Sequence, residues 1–408
     1  MLAATVSTPA ANLRQNFEKF LEGETTGLAC CVSMSDSFTG QGTTRKALCR
    51  GEGNAHLSPG VHQNLGYTGL AFAPDCRRTV GILVSRIVDV RQLRVKQFQL
   101  LLQAESRAWL EDLHWDYAPS SGLVSSYLEE KRLSGFALVE NDVAQAYCLY
   151  FREGSKGLIG TLFALQSNSR SSAPVNLLGK AIDTLVDFAD VRRIEAQLPH
   201  FSLDQVGPYF RSRAFQTYLR QFMSFRLGIS APNRQTPAFQ AGRPGQNETS
   251  GDFVFQPWER RHDREAARLI YHVYQNHIDA AVNDQYCSIA GTTHLVESIA
   301  RLRGCGEYLP QASIAAIHCS TGKLAGILGL TAVRPRTAHI PQIAVATGFQ
   351  GIGLGSAMLR TAFEKLVGAG FSEVSLTVTA LNSGAARLYE RTGFRTFREF
   401  GAFVWNRA

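Results

Sequence analysis

Phe349 to Leu359 reads FQGIGLGSAML, with glycines at Gly351, Gly353 and Gly355 before the pattern turns apolar. Ahead of it, Ile340 to Val345 is short, apolar and partly β-branched, which predicts a buried strand. Behind it, Leu354, Met358, Leu359, Ala362, Phe363 and Leu366 recur at helical spacing, and Gly368 and Gly370 supply a stop. The glycines therefore fall where a strand turns into a helix. The leading N–H groups of a helix have no partner within it, and the dipole there is positive. Glycine removes the Cβ that would hold a ligand away, so the junction predicts a cradle for phosphate.

Two phosphate-binding patterns fit poorly. A dinucleotide fold needs G-x-G-x-x-G and an acid about 20 residues on, in the next strand. Here the spacing is G-x-G-x-G, and EVSLTV (373–378) has its only acid at its first residue. A nucleotide P-loop needs G-K-[ST], and no lysine follows these glycines. A glycine-rich turn without a ligand is the remaining plain reading.

The next forty residues narrow the choice. Gln350-Gly-Ile-Gly353-Leu-Gly355 resembles the Q/R-x-x-G-x-G/A signature of the GNAT superfamily of N-acetyltransferases. IAVAT (343–347) is similar to that family's fourth strand. LTVTALNSGAARLYERTGF (376–394) is similar to its second block: a strand, Asn382, a helix with Ala385, Ala386, Leu388 and Tyr389, and Gly393-Phe394. The resemblance runs from about Phe253 to the C-terminus. It implies acetyl-CoA as co-substrate and no metal. The pyrophosphate would lie on the backbone of Gly351, Ile352, Gly353, Leu354, Gly355 and Ser356. The pantetheine arm would lie between splayed fourth and fifth strands, along Ile343, Ala344 and Val345.

With 408 residues, two or three domains are expected. The net charge of +8 suits a polyanionic ligand. No Lys/Arg run or aromatic-interleaved basic patch supports nucleic acid. No apolar run approaches the 20 residues of a membrane span, and the N-terminus lacks the pattern of a secretory signal. The eight cysteines form no C-x-x-C pair and have no zinc spacing, so they read as reduced thiols of a cytoplasmic protein. A monomer or homodimer is expected.

Residues 1–78 are rich in Gly, Ser, Thr and Asn without periodicity, Asn12 to Leu21 excepted. They read as mostly disordered, or as sequence ahead of a later start. Residues 79–228 then run strand, helix, helix, three strands, helix, strand, helix, the order of a GNAT fold. Residues 229–251 carry prolines and glycines without periodicity and read as a linker. Residues 252–408 repeat the order, with DREAARLIYHVYQNHIDAAV as one helix near the start. The fold class is α/β (α+β): two tandem GNAT-like domains, each a mixed, mostly antiparallel sheet flanked by helices.

An internal repeat supports the tandem reading. LGKAIDTL at Leu178 aligns with LGSAMLRT at Leu354, an offset of 176 (354 − 178). YFRSRAF at Tyr209 aligns with LYERTGF at Leu388, an offset of 179 (388 − 209). These offsets set Pro174 against Gln350, Leu177 against Gly353 and Phe210 against Tyr389. Proline has no N–H to donate, so the first copy is read as degenerate, a wall of the acceptor cleft.

Acyl transfer to an amine needs a neutral amine, a polarised thioester and a proton for the leaving thiolate. The resemblance implies Tyr389 as the acid and the backbone N–H of Val345 or a neighbour as the carbonyl donor. It implies Asn382 as a CoA or water ligand, although Asn382 also reads as a helix N-cap. Where some family members carry a glutamate, eleven residues before Gln350, this chain has His339. An imidazole suits a base at neutral pH, and a strand-end surface histidine is the other reading. Glu307 and His318 are weaker candidates. HWDY (114–117) reads as packing at a helix end. The expected activity is N-acetyl transfer to an amine of a small molecule or peptide. A non-catalytic acyl-CoA-binding module of the same fold is the alternative, and a nucleotide-binding protein is a third reading.

Overall fold

A computed structural model describes residues 85–169, 171–228, 251–301 and 305–408, with the backbone of two short strands, Ala3–Thr5 and Glu248–Ser250. The remainder of segment 1–78, the helical reading of 12–21 and most of the linker lie outside the described residues.

The N-terminal half runs β1 (Arg86–Asp89), α1 (Gln99–Leu113), α2 (Ala118–Glu129), β2 (Ser134–Glu140), β3 (Val143–Glu153), β4 (Lys156–Ala164), α3 (Ala173–Asp187), β5 (Arg193–Gln197), α4 (Leu203–Ser212) and β6 (Gln216–Arg226). The C-terminal half repeats it: β7 (Phe253–Pro257), α5 (Asp263–Tyr274), α6 (Ile278–Val282), α7 (Ile289–Ala300), β8 (Ile314–His318), β9 (Leu324–Arg334), β10 (Thr337–Val345), α8 (Leu354–Gly368), β11 (Glu373–Thr379), α9 (Ser383–Thr392) and β12 (Arg395–Asn406).

These strands form one continuous sheet in the order β1-β2-β3-β4-β5-β12-β6-β11-β10-β9-β8-β7. Only β4–β5 and β10–β11 pair in parallel; the other neighbours are antiparallel. The order reads the same from either end, apart from one exchange at the centre. The last strand of each half crosses over: β6 pairs with β11, and β12 pairs with β5. The two last strands pair with each other from Gln216↔Val404 to Ser224↔Arg395. Each half is thus completed by the other's final strand, and Phe222 and Phe400 on the exchanged strands join one apolar cluster of the N-terminal half.

Three readings change. The segment from Asp263 to Val282 is two helices, because Asn276 adopts a left-handed backbone (φ 58°) and ends α5. The strands β6 and β12 were not read from the sequence. Finally, α3 starts at Ala173 where α8 starts at Leu354, an offset of 181 (354 − 173) rather than 176. Pro174 sits in the first turn of α3, where a missing N–H costs nothing. The later offset of 179 holds: Phe210 packs edge-on to Phe215 as Tyr389 does to Phe394.

Candidate active site

The strand β10 is wholly buried, as its apolar run requires. Its pairing with β11 covers only Thr337–His339 against Glu373–Ser375. From Ile340 onward the two strands part, while β9 still holds β10 through Gly326↔Val345, Ile327↔Ala344 and Leu328↔Ile343. The backbone of Ile343, Ala344 and Val345 therefore edges a wedge-shaped opening. Ala3–Thr5 lies antiparallel to Gln342–Ala344 on that edge.

At the end of β10 the chain makes a one-turn helix, Thr347–Phe349, and the Gln350 side chain donates to Val345 O at 2.9 Å. That bond fixes the loop on the strand. Gly351 (φ 82°) and Gly353 (φ 94°) then take left-handed conformations that a side chain would strain, and no atom lies within 4 Å of a Cβ built on either. Gly353 is the N-cap of α8, whose first internal bond runs from Ala357 N to Gly353 O. The amides of Leu354, Gly355 and Ser356 have no partner in the helix ladder. Ile352 is exposed, while Leu354 and Gly355 are buried. The junction has the backbone geometry of an anion cradle.

Across the opening, α9 carries Tyr389. Its side chain is fully buried, and its hydroxyl has no hydrogen-bond partner among the described residues. The Thr377 hydroxyl on β11 is in the same condition. A buried hydroxyl without a partner costs about 1–3 kcal/mol, so these atoms mark where a polar ligand group would be matched. Burial raises the Tyr389 pKa well above the ordinary tyrosine value, with Tyr274 and Asp279 adding to the shift. Tyr389 therefore holds its proton at neutral pH. Asn382 is the N-cap of α9, accepting from Ala385 N at 3.3 Å.

Asn382 also reaches a group that sequence reasoning missed. Its Nδ2 lies 3.4 Å from Asp279 Oδ2. Thr379 Oγ1 donates to Asp279 Oδ1. Arg220, from β6 of the N-terminal half, stands 3.8 Å from the same carboxylate, and both side chains are fully buried. His277 Nδ1 lies 3.2 Å from Asp279 N and 3.3 Å from Oδ2. Burial lowers the His277 pKa, against the opposing pull of Asp279. Beside this network Gln342 on β10 donates to Tyr274 OH at 2.8 Å and accepts from Tyr286 OH at 3.2 Å; the two rings stack at 4.2 Å. The one available signal was the Gln275-Asn276 pair, a helix stop that frees Asp279 to turn inward.

His339 is not brought into this network. It is buried against Trp115 and Phe222, with Nδ1 2.8 Å from Ser375 Oγ. Burial lowers its pKa to about 3. Glu307 is exposed on a two-residue strand, and His318 meets Thr321 at the far end of β8. HWDY is packing between the halves: Trp115 meets the His339 ring edge-on, and His114 pairs with Glu373 at 2.9 Å. In the N-terminal half the residue before α3 is Ser172 at φ −72°, and no left-handed glycine lies between β4 and α3 among the described residues. Also among the described residues, no cluster of three or more His, Cys, Asp or Glu could hold a metal ion, and no helix is long and apolar enough to cross a membrane.

Residues 285–394 match the model of the acetyltransferase (GNAT) family, the span from Gln285 through the glycine-rich junction to Phe394. Two solved structures share the fold across both halves. One is a GCN5-related N-acetyltransferase from Sphaerobacter thermophilus, 14% identical, with a TM-score of 0.54 over 79% of this chain and 95% of that one. Another is a tandem GNAT protein from the clavulanic acid biosynthesis pathway, 14% identical, with a TM-score of 0.50 over 79% and 98%. No curated protein matches the chain. The match to the GNAT family thus covers residues 285–394, and the fold of both halves together is that of these two solved structures.

Proposed function

We propose that the protein is an N-acetyltransferase that moves an acetyl group from acetyl-CoA to an amine of a small molecule or peptide, with the chemistry in the C-terminal half. The observation that carries this reading is the pairing of the Gly351–Gly353 cradle with a buried, partnerless Tyr389 hydroxyl across the β10–β11 opening. Acyl-CoA use is a property of the family; the choice of acetyl and of an amine acceptor is ours.

In this reading the amides of residues 351–356 bind the pyrophosphate. The edge of Ile343–Val345 bonds the pantetheine arm, which requires Ala3–Thr5 to leave its pairing with Gln342–Ala344, and a β10 amide polarises the thioester carbonyl. The amine nitrogen attacks the carbonyl carbon and the C–S bond breaks. Tyr389 gives its proton to the departing thiolate, and the proton shed by the amine restores the balance through the base. His339 is a poor base, since an imidazole with a pKa near 3 barely holds a proton at neutral pH. His277 is no better placed, because its Nδ1 accepts from the Asp279 amide and the neutral ring then carries its proton on Nε2; the base in this reading is a water that takes the amine's proton. Asn382 serves as helix cap and as a brace for Asp279. We assign residues 252–408 to the catalytic unit and 79–228 to a supporting, non-catalytic one.

The test is a screen of amino acids, polyamines, aminoglycosides and peptide N-termini with acetyl-CoA, read as free thiol release. Turnover lowered about a hundredfold by Tyr389→Phe is expected. Acetyl-CoA binding with no turnover on any amine would favour the acyl-CoA-binding module instead.

A further inference from the structure

The segment bearing Asp279 and Tyr286 is held from outside by the other half. Lys156, the first residue of β4, is buried, with Nζ 2.5 Å from Asp284 Oδ1 and 3.8 Å from Glu195 Oε2. Glu195 on β5 accepts from the Asp284 amide at 3.1 Å and from Arg193 Nε at 2.6 Å. Arg193 also donates to Ala281 O at 2.6 Å. Three charged side chains at the paired start of β4 and β5 thus grip the 281–284 stretch at three points. Burial alone would lower the Lys156 pKa, but Glu195 and Asp284 outweigh it and the net shift is upward, so the ammonium persists.

Register makes the grip informative. Lys156↔Arg193 opens the β4–β5 pair as Thr337↔Glu373 opens β10–β11. At that second position Glu373 meets His114, at the helix-end loop of the N-terminal half. Each half therefore fastens the helix-end loop of the other. Only one of the two fastened loops carries residues of the transfer site, through Asp279 at one end and Tyr286 at the other.

We propose that Lys156, Arg193 and Glu195 are positioning residues for amine binding: by fixing 281–284 they set Asp279 and Tyr286 on the acceptor side of the β10–β11 opening. The proposal rests on the transferase reading above. It gives the N-terminal half a role that needs no acyl-CoA of its own. Acetyl-CoA affinity, set by 343–356, is independent of it.

Two measurements on the full chain test this. In hydrogen exchange, Lys156→Met and Asp284→Asn are expected to speed exchange of amides 278–287 roughly tenfold and leave 354–368 unchanged, and Lys156→Arg to restore most protection. In kinetics with the amine found by the screen, both variants are expected to raise the KM for amine roughly tenfold, with the Kd for acetyl-CoA unchanged. Asp284 is partly exposed, so its variant remains folded if Lys156→Met does not. Unchanged exchange at 278–287, or faster exchange with an unaltered amine KM, would overturn the proposal. Absence of acetyl-CoA binding in the unmodified protein would overturn the transferase reading and the amine-binding role with it, whereas the exchange result separately reports whether the 281–284 grip holds.

Discussion

Arg220 and Asp279 come from different halves of the chain and meet at 3.8 Å beside Tyr389, each fully buried. The strand exchange makes this possible, since β6 carries Arg220 into the sheet next to Thr379 of β11. Half of this ion pair at the candidate site is therefore supplied by the N-terminal half.

Removing one partner of that pair should leave a buried charge uncompensated. Asp279→Ala and Arg220→Met are each expected to cost about 3–5 kcal/mol of stability. The double change Arg220→Met/Asp279→Leu should cost less than the sum of the singles. Urea unfolding of the three variants measures the coupling.

Separating the halves should fail. A fragment of residues 248–408 would lose β6 and β5, exposing an edge of β11 and both edges of β12. We expect it to aggregate when expressed alone and to recover a folded circular dichroism spectrum when co-expressed with residues 79–228. A monomeric, cooperatively folded fragment would contradict the strand exchange.

Tyr389→Phe should reduce kcat by about a hundredfold and leave acetyl-CoA affinity intact. It should not lower stability, because the hydroxyl it removes has no partner. Turnover assay and thermal melt together separate this role from simple packing.

A pH effect arises far from the site. Burial raises the Glu105 pKa to about 7, despite hydrogen bonds from Tyr147 and Thr161. The folded state thus holds a proton that the unfolded chain releases near pH 4.5. This group opposes folding progressively as pH rises from about 4.5 to about 7, by about 3 kcal/mol at the top. Glu105→Gln should match the parent near pH 4.5 and exceed it in stability at pH 8, measured by urea unfolding at both values.

The strand, cradle and helix around Gly353 were legible because local rules fix them: an apolar run, left-handed glycines, then helical spacing. The helix that carries Tyr389, with Asn382 as its N-cap, was legible from the second block. The exchange of β6 and β12 was not legible, because partner choice between two similar halves is a long-range matter that QTYLRQFMSFR does not encode locally. Asp279 was hidden in a run that reads as continuous helix until Asn276 breaks it. His339 was read by its position in sequence, while its chemistry is set by Trp115 and Phe222, which arrive from the other half.

The most direct test of the central claim is calorimetric titration of acetyl-CoA into the full chain and into Gly353→Glu. No atom crowds that position, so the variant should fold with a loss of about 1 kcal/mol from the left-handed backbone. One micromolar site per chain, lost in the variant, is the predicted result. Two sites, no binding, or equal affinity in Gly353→Glu would contradict a single working cradle at residues 351–356.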